Sequence, residues 1–203
     1  DVIACLVRTV AEILMCIVVP VFESHGRWAE ALPMDWYGRD EDVGDGAVLH
    51  SLKRAATSNS AFRRATMFTM DMPFDPAFGR TGGEDTDFLQ RAQEAGAKIV
   101  YSQRAWMKEF VPASRSNADY LATRRFRESQ QFVRLVLKNK ARIKWLTAAR
   151  HMATGAAQLG FAASHWAGAK LTGADVGLPK VAMAQALGKV LWSQRRDTGQ
   201  PYR

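Results

Sequence analysis

Gly82-Gly83-Glu84-Asp85-Thr86-Asp87-Phe88 constrains this chain more tightly than any other stretch: a glycine pair, then three carboxylates within four residues, then an apolar face. Phe88, Leu89, Ala92 and Ala95 fall at i, i+1, i+4 and i+7, the spacing of one side of an α-helix. Gly96 supplies a C-terminal stop, and Lys98–Ser102 then reads as a β-strand. Turn, helix and strand in that order predict an α/β layered domain. The glycines allow a tight turn and close approach of backbone to a ligand. Carboxylates in a first helical turn are stabilised by the N–H groups and dipole there. An ionised carboxylate so placed can act as a general base or a metal ligand. The same letters also suit a plain acidic helix start.

Other elements can be placed more coarsely. Ile17-Val18-Val19-Pro20-Val21-Phe22 reads as a buried strand, while the run from Ile3 to Val19 is broken by Arg8 and Glu12 and falls short of a membrane span. Nor does it show the layout of a signal peptide. Residues 23–50 are polar, with Trp28, Trp36 and Tyr37 among charges, and Asp40, Glu41, Asp42 and Asp45 read as an exposed acidic loop. Asn59, after Thr57 and Ser58, is expected at a strand end or tight turn. A long helix is predicted from Asn117 to about Leu137, with Arg124, Arg127, Gln131, Arg134 and Lys138 along one stripe.

Taken in order, Thr57-Ser58-Asn59-Ser60-Ala61-Phe62-Arg63-Arg64, Phe74-Asp75-Pro76-Ala77-Phe78-Gly79, the Gly-Gly-Glu-Asp segment, Ala95-Gly96-Ala97-Lys98-Ile99-Val100-Tyr101 and Glu109-Phe110-Val111-Pro112-Ala113-Ser114-Arg115 resemble the C-terminal half of family 2 glycosyltransferases. These are inverting enzymes of GT-A fold, and the resemblance runs over roughly residues 17–137. It implies a partial GT-A-like α/β domain over residues 1–137, followed by a helical region over 138–203. It implies a nucleotide-sugar donor and a glycan or lipid-linked acceptor. Asp85 matches the family's catalytic base, and Glu84 would orient the acceptor, although the two roles can be exchanged. Asp87 would cap the helix. Asn59, Gly82 and Gly83 fall beside the acceptor and sugar, and one of Arg124 and Arg125, with Arg115 as the alternative, at the leaving diphosphate. Glu109 stands near the family's metal-binding histidine and would hold Mg²⁺ or Mn²⁺. The family's donor-binding half, with its Asp-x-Asp motif, has no counterpart ahead of Pro20, so a truncated copy is expected. A non-catalytic, membrane-associated remnant is the alternative.

Composition narrows the partners. Two cysteines, Cys5 and Cys16, make neither a disulfide framework nor a metal cluster, and the four histidines lack metal-site spacing. The net charge of +8 is unevenly spread: residues 1–103 carry 10 basic and 15 acidic side chains, residues 104–203 carry 18 and 5. Such asymmetry points the second half to an anionic partner. Lys138 to Lys144 is basic, and Trp145 to Gly168 is rich in Ala, Gly, Leu and aromatics, a pattern suited to the interface of a membrane's cytoplasmic face. Gly155 and Gly160 would allow close helix packing, and an ordinary buried helix is the other reading. Residues 124–150 hold nine basic residues and one acidic one but no interleaved stacking aromatics, so nucleic acid is not expected.

Overall fold

A computed structural model describes residues 11–23, 43–52, 56–67, 73–78, 82–139 and 142–194. Cys5, Trp28, Trp36, Tyr37 and the acids at 40–42 lie outside the described residues. The chain divides into two compact units, Asp1–Pro76 with Glu84–Ala113, and Ala77–Gly83 with Ser114–Arg203.

The first unit is a small mixed α/β layer. Strand β1 (Ile13–Phe22) lies between β2 (Ser60–Phe62), antiparallel to it, and β3 (Ile99–Val111), parallel to it. A parallel neighbour requires a crossover, and helix α2 (Glu84–Glu94) precedes β3; a single helical turn, α1 (Arg64–Met67), follows β2. Alternate residues of β1 face opposite sides, as the pleat dictates. Ile13 and Met15 meet Phe88, Leu89 and Ala92 of α2 in one core, together with Ile99 and Tyr101 of β3. Leu14 and Cys16 join Ala11, Val100 and Ala105 in a second. Phe88 is wholly buried and stacks at tilted angles on Phe62 and Phe74, with centroids 5.7 and 5.0 Å away. Gly96 ends the helix in a left-handed conformation at φ 92°, as the sequence predicts.

Both long strands exceed their predicted extents. β1 begins at Ile13 rather than Ile17, and β3 runs to Val111 rather than Ser102. A bulge explains the second difference. Cys16 pairs with Ser102, but Ile17 pairs with Trp106, so residues 103–105 are extra. Asp45 fixes the bulge: one carboxylate oxygen accepts the Gln103 N–H at 2.9 Å and the Ser102 hydroxyl at 3.1 Å, and the other pairs with Arg104 at 2.9 Å. The Gln103 N–H chiefly, with Ser102 and Arg104 adding to it, lowers the Asp45 pKa below the usual carboxylate value against the opposing effect of burial. Past the bulge, β3 carries exposed Trp106 and Phe110, a polar-apolar mix that masks strand character in the sequence.

The second unit is helical: α3 (Ala118–Asn139), α4 (Lys144–Thr172) and α5 (Gly177–Val190). Asn117 caps α3, its side-chain oxygen accepting the Tyr120 N–H at 2.9 Å. Helix α5 packs against both of the others through glycines. A Cβ at Gly188 would stand 2.3 Å from the Phe126 carbonyl oxygen of α3, and one at Gly155 of α4 would stand 2.9 Å from the Ala186 carbonyl oxygen of α5. Gly160 instead faces open space, so close packing falls on Gly155 and not on Gly160. Gln130 and Arg134 of α3 clamp the turn after α5, donating to the carbonyls of Leu191 at 2.6 Å and Trp192 at 3.0 Å. Among the described residues no helix is long and apolar enough to cross a membrane.

Candidate active site

Two of the sequence stretches singled out above meet in the first unit. Asp85, in the first turn of α2, accepts two hydrogen bonds from Thr57: the backbone N–H at 3.1 Å and the hydroxyl at 2.9 Å. A carboxylate offers about four acceptor positions, so two remain for another donor. The Thr57 contacts fix the carboxylate's orientation. Two residues on, Asn59 adopts the left-handed conformation at φ 44°, a region asparagine tolerates better than most residues. Its amide donates to the Ile17 carbonyl of β1 at 2.7 Å. The expected tight turn is there, and that bond ties it to the strand.

The other carboxylates of the segment have separate fates. Glu84 is half-buried, and its Oε2 is buried with no hydrogen-bond partner among the described residues. A buried acceptor left without a partner is costly. Asp87 is wholly buried and pairs with Arg91 one turn on at 2.9 Å; Arg91 in turn donates to the Pro73 carbonyl at 2.6 Å. Asp87 thus holds the Pro73–Phe74 stretch through Arg91.

The remaining predicted residues are placed as follows. Gly82 and Gly83 have φ of 76° and 89°, conformations that glycine alone adopts at little cost. At Gly82 a side chain would also strike Gln131 of the second unit's α3, 2.6 Å away. In that unit Arg115 ends a short 3₁₀ turn, Ala113–Arg115, and is half-buried. Arg124 and Arg125 both reach Glu128, each at 2.8 Å, so one acid holds two guanidinium groups. Glu109 is exposed on β3 opposite Pro20. Among the described residues no group of three or more His, Cys, Asp or Glu side chains is placed to hold a metal. Sequence reasoning missed Thr57 as the partner of Asp85 and Glu128 as the partner of the arginines. For Glu128 a signal exists, since it stands three and four residues beyond them.

Over 113 residues the chain is 37% identical to the succinoglycan biosynthesis protein ExoM of Rhizobium meliloti (strain 1021), a match covering 56% of this chain and 36% of that protein. The chain therefore spans about a third of the length of the curated relative it matches. No family model matches the chain. No solved structure matches it either.

Proposed function

We propose that this chain carries the acceptor-activating part of an inverting glycosyltransferase of GT-A type, with Asp85 as the general base. One observation carries the reading: Asp85 is held through Thr57 to the turn that bears Asn59, so two of the stretches that carry the resemblance share one site. The similarity to a succinoglycan biosynthesis protein supports glycosyl transfer at a coarse level. In the step, the acceptor hydroxyl's oxygen attacks the anomeric carbon of a nucleotide sugar. Its proton passes to Asp85 as the new carbon–oxygen bond forms, and the nucleoside diphosphate leaves with the electron pair. The resemblance gives Glu84, beside Asp85 in the same turn, the role of orienting the acceptor. Thr57 acts through Asp85 and is a positioning residue. The resemblance assigns one of Arg124 and Arg125, with Arg115 as the alternative, to the diphosphate and Glu109 to Mg²⁺ or Mn²⁺. The proton transfer to Asp85 uses none of these side chains and no metal.

The test is transfer from a panel of radiolabelled UDP-, GDP- and dTDP-sugars to a bacterial lipid extract, by the native chain and by Asp85→Asn. Replacing the base should lower the rate by about 10²-fold or more with the circular dichroism spectrum unchanged. Equal rates for the two proteins would overturn the assignment of Asp85. No transfer by the native chain from any donor would overturn the reading for this chain.

A further inference from the structure

The turn that leads into β2 makes hydrogen bonds in two directions. Towards α2, Thr57 donates its N–H and its hydroxyl to the two oxygens of Asp85, at 3.1 and 2.9 Å. Towards β1, the Asn59 side-chain nitrogen donates to the Ile17 carbonyl at 2.7 Å, and the Asn59 carbonyl accepts the Cys16 N–H at 3.1 Å. The Ser60 hydroxyl ties the turn to itself, within bonding distance of the Ala56 carbonyl at 3.1 Å and the Ser58 carbonyl at 3.2 Å. Among the described residues Asn59 is the one non-glycine residue with a positive φ. A side chain held in that region persists where its surroundings over-determine it, and such positions gather at functional sites.

Both ends of this connection rest on packed elements. The start of β1, from Ile13 to Cys16, is wholly buried, and it is the middle strand of the sheet. Helix α2 is fixed by Phe88 and Leu89, which are equally buried. Between them the chain of contacts runs from Ile17 through Asn59 and Thr57 to Asp85. The resemblance puts Asn59 beside the acceptor and sugar, but here its amide nitrogen is turned to the main chain of β1.

We propose that Asn59 is a positioning residue for the base: by pinning the 56–60 turn to β1 it holds Thr57 against both oxygens of Asp85. The direction in which that carboxylate meets the acceptor's proton is thereby set from the centre of the sheet. The inference rests on the reading of Asp85 as general base. An aspartate in a first helical turn can rotate about its own side-chain bonds, and a base that wanders from the line of proton transfer loses rate. Two donors on one residue remove that freedom only if the residue is itself held, and Asn59 holds it.

The test compares the full chain with Asn59→Gly, Asn59→Asp, Asp85→Asn and the double variant Asn59→Gly/Asp85→Asn, in sugar transfer and in amide hydrogen exchange. Glycine keeps the left-handed turn and deletes the anchor. Aspartate keeps the size and the tolerance for positive φ, and sets an oxygen against the Ile17 carbonyl. Both single variants should lose about tenfold in kcat with the acceptor KM unchanged, short of the loss expected for Asp85→Asn. Exchange at the Thr57 amide should rise in both. In the double variant Asn59→Gly should add no further loss in kcat, because the base it orients is gone. A raised acceptor KM with native kcat would make Asn59 a substrate contact and overturn the proposal. So would losses that add in full in the double variant, or a native rate per folded molecule with only the unfolding midpoint lowered. Unchanged exchange at the Thr57 amide in Asn59→Gly would overturn it whatever the rates. Failure of the base reading shows separately, as a native rate in Asp85→Asn or no transfer by the native chain, and removes the proposal's ground with it.

Discussion

The two units manage charge in opposite ways. In the first, carboxylates are held by local donors: Asp45 by the bulge of β3, Asp85 by Thr57, Asp87 by Arg91. In the second, two arginines converge on Glu128, the helices meet through glycines, and the longest helix turns an almost uncharged face outward. The contrast teaches that the acidic-then-basic polarity of the sequence is a division of labour. The acidic half builds fixed carboxylates around a small sheet, and the basic half builds a surface.

The largest expected effect breaks the second unit's packing. Gly188→Ala places a methyl 2.3 Å from the Phe126 backbone oxygen and 2.8 Å from the Ser129 Cβ, neither of which is the end of a flexible side chain. It should cost about 3 kcal/mol in denaturant unfolding, the upper range for overpacking. Gly160→Ala, in open space on α4, should instead gain about 0.5–1 kcal/mol from helix propensity. Equal effects from the two would erase the distinction between the packed and outward faces.

Next come the first unit's locks. Asp87→Ala leaves Arg91 without its buried partner and should cost about 2 kcal/mol. Asp45→Ala frees the β3 bulge and should cost about 1 kcal/mol, since the Arg104 pair is largely solvent-exposed and adds little. Because Asp45 is lowered in the folded state, its contribution is present above the ordinary carboxylate pKa near 3.8 and is lost as pH falls through the folded value. Hydrogen exchange at the Gln103 amide should rise in Asp45→Ala and be unchanged in Gly160→Ala.

The smallest effect is a pH response of the second unit. His151 packs edge-on against Phe132 at 5.4 Å, and burial chiefly, then Lys189 and Arg150, push its pKa below 6.5. A histidine lowered on folding favours the neutral form. The unfolded chain therefore binds the proton first, and stability falls as pH drops from about 6.5 towards the folded value. His151→Gln should flatten that dependence in thermal melts between pH 7 and pH 5.

Much of the local structure was legible in the residues. The helix from Glu84 to the stop at Gly96 follows from apolar spacing and two kinds of glycine, and α3 follows from its own periodicity with Asn117 as cap. The second half of β3 was not legible. It exposes Trp106 and Phe110 and owes its pairing to β1, more than eighty residues earlier, across a bulge that Asp45 holds from another segment. The site divides in the same way. Asp85 stands out by its place in a first helical turn, whereas Thr57 is 28 residues away and ordinary in composition, so only the fold shows that it grips Asp85. Glu109 is singled out by its place in the resemblance, and the strand leaves it exposed.

The central claim is that Asp85 and Asp87, two residues apart on α2, do different things. Sugar transfer per folded molecule, measured for Asp85→Asn and Asp87→Asn beside their unfolding midpoints, tests it most directly. Asp85→Asn should lose about 10²-fold or more in rate while keeping its midpoint, and Asp87→Asn should lose midpoint while keeping its rate per folded molecule. Equal rate losses in the two, or a native rate in Asp85→Asn, would contradict the account.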